Sequence, residues 1–397
     1  MSEDEPDFVD EDDRPLAPEQ TATFSQAVLY ASDWTVETVV SQLTRRNIDL
    51  NPRFQRRDAW GMKSKSRFIE SIVLGLPIPQ IVLAEKPGQR GQFIVLDGKQ
   101  RLLSLLQFTG NAEEGPNNGF ALSGMEARAD LNRLRYTQME QNADRVDDLN
   151  AFLNHTIRTV VIRNWPNTNF LHLVFLRLNT GSVKLSPQEL RQAMVPGPFS
   201  DFIDDRAMAS EQVRVLLSRE TPDPRMRDVE LMVRYVAFSW YLNMYAGRMK
   251  EFLDETCILL NQQWPDLQAQ LVDHINEFNQ AVDCLVQVFG ADRIARKDGS
   301  RSFNRAIFDV LVFYASDATI RAAMIANPQP VRDAYAEVLA DDRFSAAIES
   351  DTAGIPHTFD RFQAWGNALR GRLNIVFNLP TINVVEGLSR ITFDGFR

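Results

Sequence analysis

The chain has 397 residues, 44% apolar and 24% charged, which excludes a collagen, a coiled coil or a globally disordered protein. The formal charge is −10, yet eight of the acids lie in the first 14 residues against Arg14 alone, so the acidity is a property of the tail and does not exclude an anionic ligand. Two cysteines, Cys257 and Cys284, exclude a disulfide framework or a paired-cysteine zinc site, and no apolar run approaches the about 20 residues of a membrane span.

Residues 1–28 read as a disordered acidic tail, without the basic start and apolar stretch of a signal peptide; a cytoplasmic location is the expectation. Val36, Val39, Val40 and Leu43 predict a helix over 35–45. Phe68, Ile69, Ile72 and Val73 predict a second over 63–74, stopped by Gly75. Pro77 and Pro79 force an extended entry to strands at 81–84 and 93–96, joined by the Gly/Pro loop 87–91. A helix follows over 99–109 with Gly110 at its end. Residues 111–150 are polar and read as an insertion with one helix. The β-branched run 156–162 predicts a strand, and 170–178 a helical segment. Ser186-Pro187-Gln188-Glu189 carries the N-cap, first-position proline and third-position glutamate of a capping box. Beyond Pro196 the pattern is helical, with main segments at 229–245, 252–262, 267–288, 307–314, 331–339 and 359–373. The reading is α+β: a tail of 1–28, a mixed domain of 29–195 and an α-helical domain of 196–397.

The sharpest motif is Asp97-Gly98-Lys99-Gln100-Arg101, where an apolar strand turns directly into a helix. Glycine permits a tight turn and close ligand approach. The first helical turn offers unpaired N–H groups and a partial positive charge suited to phosphate. Arg101 can fork onto two oxygens, and Lys99 acts as a mobile point charge. The plain alternative makes Asp97 an N-cap and Gln100 its capping-box partner. Cations oppose the dipole at a helix start, which favours the phosphate reading.

The second motif, Asn51 to Trp60, sets three arginines around Phe54 and Gln55; taken alone it is a solvated basic loop. Across residues 40–110, however, twelve Lys/Arg stand against five acids, the footprint of a polyanion or nucleotide site. The third, Arg177 to Gly181, places Asn179 in ordinary turn chemistry. The four histidines, at 155, 172, 274 and 357, form no close pair. No metal set and no P-loop appear. Asn154-His155 reads as a helix end rather than a nuclease fragment.

These stretches in this order, with Phe68–Ile72, Gly75–Pro79 and Leu185–Arg191 between and after them, resemble the GmrSD N-terminal domain family, marked by an Asp-Gly-Gln-Gln-Arg box on a ParB/sulfiredoxin-like fold. The resemblance covers about 40–195, and 227–253 is similar to the family's usual continuation. It implies a nucleotide-binding, NTP-hydrolysing sensor of modification-dependent restriction or anti-phage systems. Such a domain acts on nucleoside triphosphate with Mg2+, beside DNA and a partner nuclease. Carried over to this sequence, it implies Asp97, Gln100 and Arg101 as catalytic residues, with Asp97 positioning water or contacting metal. Gln55, Arg56, Gly98, Lys99 and Asn179 would bind the nucleotide. Lys99 stands where the family box has glutamine, and no appended His-Asn-His nuclease is present. Three expectations compete: this sensor, a stand-alone ParB-like DNA-binding protein or nuclease, and a non-enzymatic scaffold.

Overall fold

A computed structural model describes residues 28–396 except 51–59, 113–117, 167–169, 172–173, 175–185, 298–299, 301, 350 and 386–387. The acidic tail, Gln55, Arg56, Asn179 and the basic loop around Phe54 therefore lie outside the described residues. The described chain forms two compact units that divide between Met194 and Val195.

The first unit is mixed α/β. Its five strands, β1 (Val28–Thr35), β2 (Ile48–Asp49), β3 (Ile81–Glu85), β4 (Phe93–Asp97) and β5 (Thr156–Arg163), lie in the order β1-β5-β3-β4-β2. Pairing is antiparallel for β1/β5 and β3/β4 and parallel for β3/β5 and β2/β4. Strand β1 was not anticipated, because its residues Val28, Leu29 and Tyr30 are exposed and show no apolar alternation; Val28 belongs to it rather than to the tail.

The apolar runs of β3 and β4 reflect burial on both faces of the sheet. Ile81, Leu83, Phe93 and Val95 join one core cluster, while Val82, Ala84 and Leu96 join the other. Helices α1 (Val36–Thr44), α2 (Met62–Val73) and α3 (Lys99–Phe108) supply the first cluster through Val39, Ile69, Ile72 and Leu102. Thr35 caps α1 by accepting from the Thr38 N–H at 3.2 Å. The stretch 111–150 holds two α-helices, α4 (Tyr136–Gln141) and α5 (Val146–Asn154), among its described residues. The single expected helix is thus corrected. Both are short, and Met139 and Phe152 are their only buried residues, so periodicity is faint. The second face is covered by Phe170, Leu171 and Leu190, the last on α6 (Pro187–Met194).

The second unit contains α7 (Pro198–Ala209), α8 (Glu211–Leu216), α9 (Arg227–Tyr241), α10 (Met249–Gln262), α11 (Trp264–Phe289), α12 (Arg305–Ser316), α13 (Ala318–Ala326), α14 (Pro328–Leu339), α15 (Asp342–Glu349) and α16 (Ile355–Leu373). It is not wholly helical. Strands β6 (Thr381–Val385) and β7 (Leu388–Thr392) pair antiparallel, and Phe393 and Phe396 after them pack at 5.1 Å on Phe313. Buried charges knit the core. Arg234 donates to both carboxylate oxygens of Asp309, with Nε to Oδ1 at 2.9 Å, and Arg305 donates to Glu230 at 2.6 Å. Cys257 and Cys284 are buried on α10 and α11. No helix among the described residues is long and apolar enough to cross a membrane.

Candidate functional site

Strand β4 ends at Asp97 and α3 starts at Lys99, leaving Gly98 as the whole connection. Gly98 adopts φ 99° and ψ 10°, the left-handed region that favours glycine. A Cβ there would lie 3.1 Å from Ile81 Cγ1 and 3.6 Å from Arg101 Cζ. Because this left-handed glycine occupies the N-cap position itself, Asp97 is pushed outside the helix. The plain capping box of Asp97 and Gln100 therefore does not form. Asp97 Oδ2 instead accepts from Arg101 Nη2 at 2.8 Å, and Gln100 Oε1 accepts from the Trp60 N–H at 3.2 Å.

The two cations of the first turn of α3 are held inside the fold. Arg101 also donates through Nη1 to the carbonyls of Pro79 (2.5 Å) and Gln80 (3.1 Å), which lead into β3. Lys99 Nζ donates to Glu189 Oε1 at 2.6 Å, and side-chain exposure is 7% for Lys99 and 3% for Glu189. The other oxygen of Glu189 accepts from the Ser186 N–H at 2.7 Å, while Ser186 Oγ accepts from the Glu189 N–H at 3.0 Å. The capping box expected at Ser186 is thus present, and its glutamate is also the counter-ion of Lys99. That second role was invisible in the sequence, because nothing local links positions 99 and 189.

Part of the positive charge over 40–110 lies inside the fold. Lys65 is fully buried and donates to Gln107 Oε1 on α3 at 2.7 Å; burial draws its pKa down to about 8. Lys86 pairs with Asp49 at 2.8 Å, and Arg67 pairs with Glu126. Charge counting along a sequence cannot see which cations point inward. His155 is the C-cap of α5 and its carbonyl accepts from the Val36 N–H at 2.9 Å. Burial lowers its pKa, in keeping with a neutral helix-end histidine. No group of three or more His, Cys, Asp or Glu among the described residues is placed to hold a metal ion.

The strand–glycine–helix turn lies within a stretch that matches a family model. Residues 36–196 match the family described as GmrSD restriction endonuclease, N-terminal domain. This segment is similar to the GmrSD N-terminal domain. The match takes in β2 to β5, α1 to α6 and all five consecutive site residues from Asp97 to Arg101. It leaves out β1 and nearly all of the second unit, and spans less than half of the chain. The matched family is described as that of a restriction endonuclease domain. No curated protein and no solved structure matches the chain.

Proposed function

We propose that the GmrSD domain is a nucleotide sensor of a DNA-restriction or anti-phage system, one that binds and hydrolyses a nucleoside triphosphate with Mg2+ and acts with a separate nuclease on DNA. The observation that carries this reading is the pair of buried cations at the start of α3. A helix start that served packing alone would favour acids. Two buried ion pairs around one glycine turn fix it no better than apolar groups of the same volume would, but they hold charge ready for exchange.

In this reading a triphosphate displaces Asp97 from Arg101 and competes with Glu189 for Lys99. The main-chain N–H groups of the first turn of α3 receive phosphate oxygens beside Gly98. Asp97, released, positions the attacking water or contacts the Mg2+ that the phosphates carry. Gln100 orients the same region, and Gln55, Arg56 and Asn179 close the cleft as the family resemblance implies. The ParB/sulfiredoxin-like ancestry of the sheet belongs to this proposal.

A second reading rests on the same ion pairs. Asp97–Arg101 and Lys99–Glu189 then form a purely structural latch, and the chain is a stand-alone ParB-like DNA-binding protein or nuclease. Titration of ATP, GTP and CTP into the full chain, with and without Mg2+, separates the two. Saturable binding that Arg101→Lys weakens supports the sensor, since lysine keeps the charge but loses the fork. Absence of binding for all three, with DNA affinity that falls steeply with salt, supports the latch.

A further inference from the structure

A cavity of about 330 Å3 opens in the helical unit where the C-terminal end of α11, the loop after it and α14 meet. Its volume is at the lower end of the range for small-molecule sites. Four cations line it: Arg293, Arg296 and Lys297 from the loop and Arg332 from α14. Asp292 is the only acid among its described lining residues. Lys297 also reaches Glu349 in a surface pair, an arrangement that contributes little stability in water and yields easily to a ligand.

The wall is rigid as well as cationic. Arg332 donates through Nη1 to the Val288 carbonyl at 2.8 Å and through Nε and Nη2 to Gln329 Oε1 at 3.1 and 2.9 Å. Arg296 Nη1 donates to the carbonyls of Ala291 and Ile294 at 3.1 and 3.0 Å. Tyr335 ties the same loop down by donating to the Arg296 carbonyl at 3.0 Å and packs on Phe289 at 5.0 Å. The Val288 carbonyl and the Gln329 amide oxygen fix the Arg332 guanidinium. Several guanidinium and ammonium groups around one small cavity are suited to the charge of phosphate.

We propose that this cavity is a second anion site, independent of the Gly98 turn, which takes the phosphate groups of a small ligand: free pyrophosphate or the diphosphate of a nucleotide. The test is a calorimetric titration of the full chain with pyrophosphate, ADP and sodium sulfate as a control anion. The proteins compared are the parent, Arg293→Ala/Lys297→Ala, and Lys99→Gln. The double substitution removes two charges of the loop, one of them in the surface pair with Glu349, and an unchanged melting temperature verifies its fold. Saturable binding of pyrophosphate or ADP that falls at least tenfold in the double variant, and is unchanged in Lys99→Gln, supports the site. Tighter binding of ADP than of pyrophosphate assigns it to nucleotides, and the reverse order assigns it to the free anion. No saturable binding, equal binding in parent and double variant, or equal affinity for sulfate overturns it. Loss in Lys99→Gln alone would place the anion at the Gly98 turn and overturn this site while leaving that reading intact.

Discussion

Lys99 Nζ lies 2.6 Å from Glu189 Oε1, a contact between residues 90 positions apart that ties the start of α3 to α6. One carboxylate thus serves both the cap of its own helix and a buried ammonium on another. Removing its charge by Glu189→Gln takes from the buried ammonium the carboxylate that it touches. Breaking one side of such a pair costs about 3–5 kcal/mol. Chemical unfolding of the first unit, followed by tryptophan fluorescence, should show a loss in that range. Lys99→Gln/Glu189→Gln should recover most of it; equal loss in both proteins would show that the pair itself carries no coupling.

Gly98→Ala should destabilise the same unit by roughly 1–3 kcal/mol, because a side chain at φ 99° is strained. The added Cβ also approaches Ile81 Cγ1 at 3.1 Å. Gly61→Ala, where a Cβ meets nothing within 4 Å, is the matched control and should leave the unfolding midpoint nearly in place.

Lys65 makes stability depend on pH with a definite sign. Burial lowers its pKa from 10.5 to about 8, so between those values the unfolded chain holds the proton that the folded chain has lost. Stability from this group therefore rises as pH increases from about 8 to 10.5 and is lowest below 8. Unfolding free energies of the parent minus those of Lys65→Met, taken from pH 7 to 10.5, should climb over that window. A flat difference would mean that Lys65 titrates normally in the folded protein.

In the helical unit, Asp309→Asn should cost about 3–5 kcal/mol, because Arg234 would be left charged at 1% exposure. Thermal unfolding of the variant measures this, and a shift no larger than that of an exposed control such as Asp333→Asn would contradict the assignment.

The sequence made the periodic elements legible. Helices α1, α2, α3 and α11, strands β3, β4 and β5, and the Ser186 cap all arise from local pattern and turn chemistry. Strand β1 and the β6–β7 hairpin escaped because sheet pairing, not apolar alternation, holds them. The Asp97–Arg101 box was legible as a strand–glycine–helix turn. Its pairing was not, since the partners of Lys99 and Arg101 include Glu189 and the Pro79 and Gln80 carbonyls, contacts that only the folded chain creates. For the same reason Lys65 counted toward a positive surface while its ammonium lies inside. Gln55, Arg56 and Asn179 lie outside the described residues.

The central claim is that carboxylates and phosphates exchange on the cations of α3. Its most direct test is nucleotide affinity, with Mg2+ present, in two single variants whose folding is verified at low temperature. Removing the competing carboxylate by Glu189→Gln should tighten binding, and removing the cation by Lys99→Gln should weaken it, so the two affinities move to opposite sides of the parent. If both variants bind as the parent does, or both weaken together, the charges at this turn are structural and the exchange does not occur.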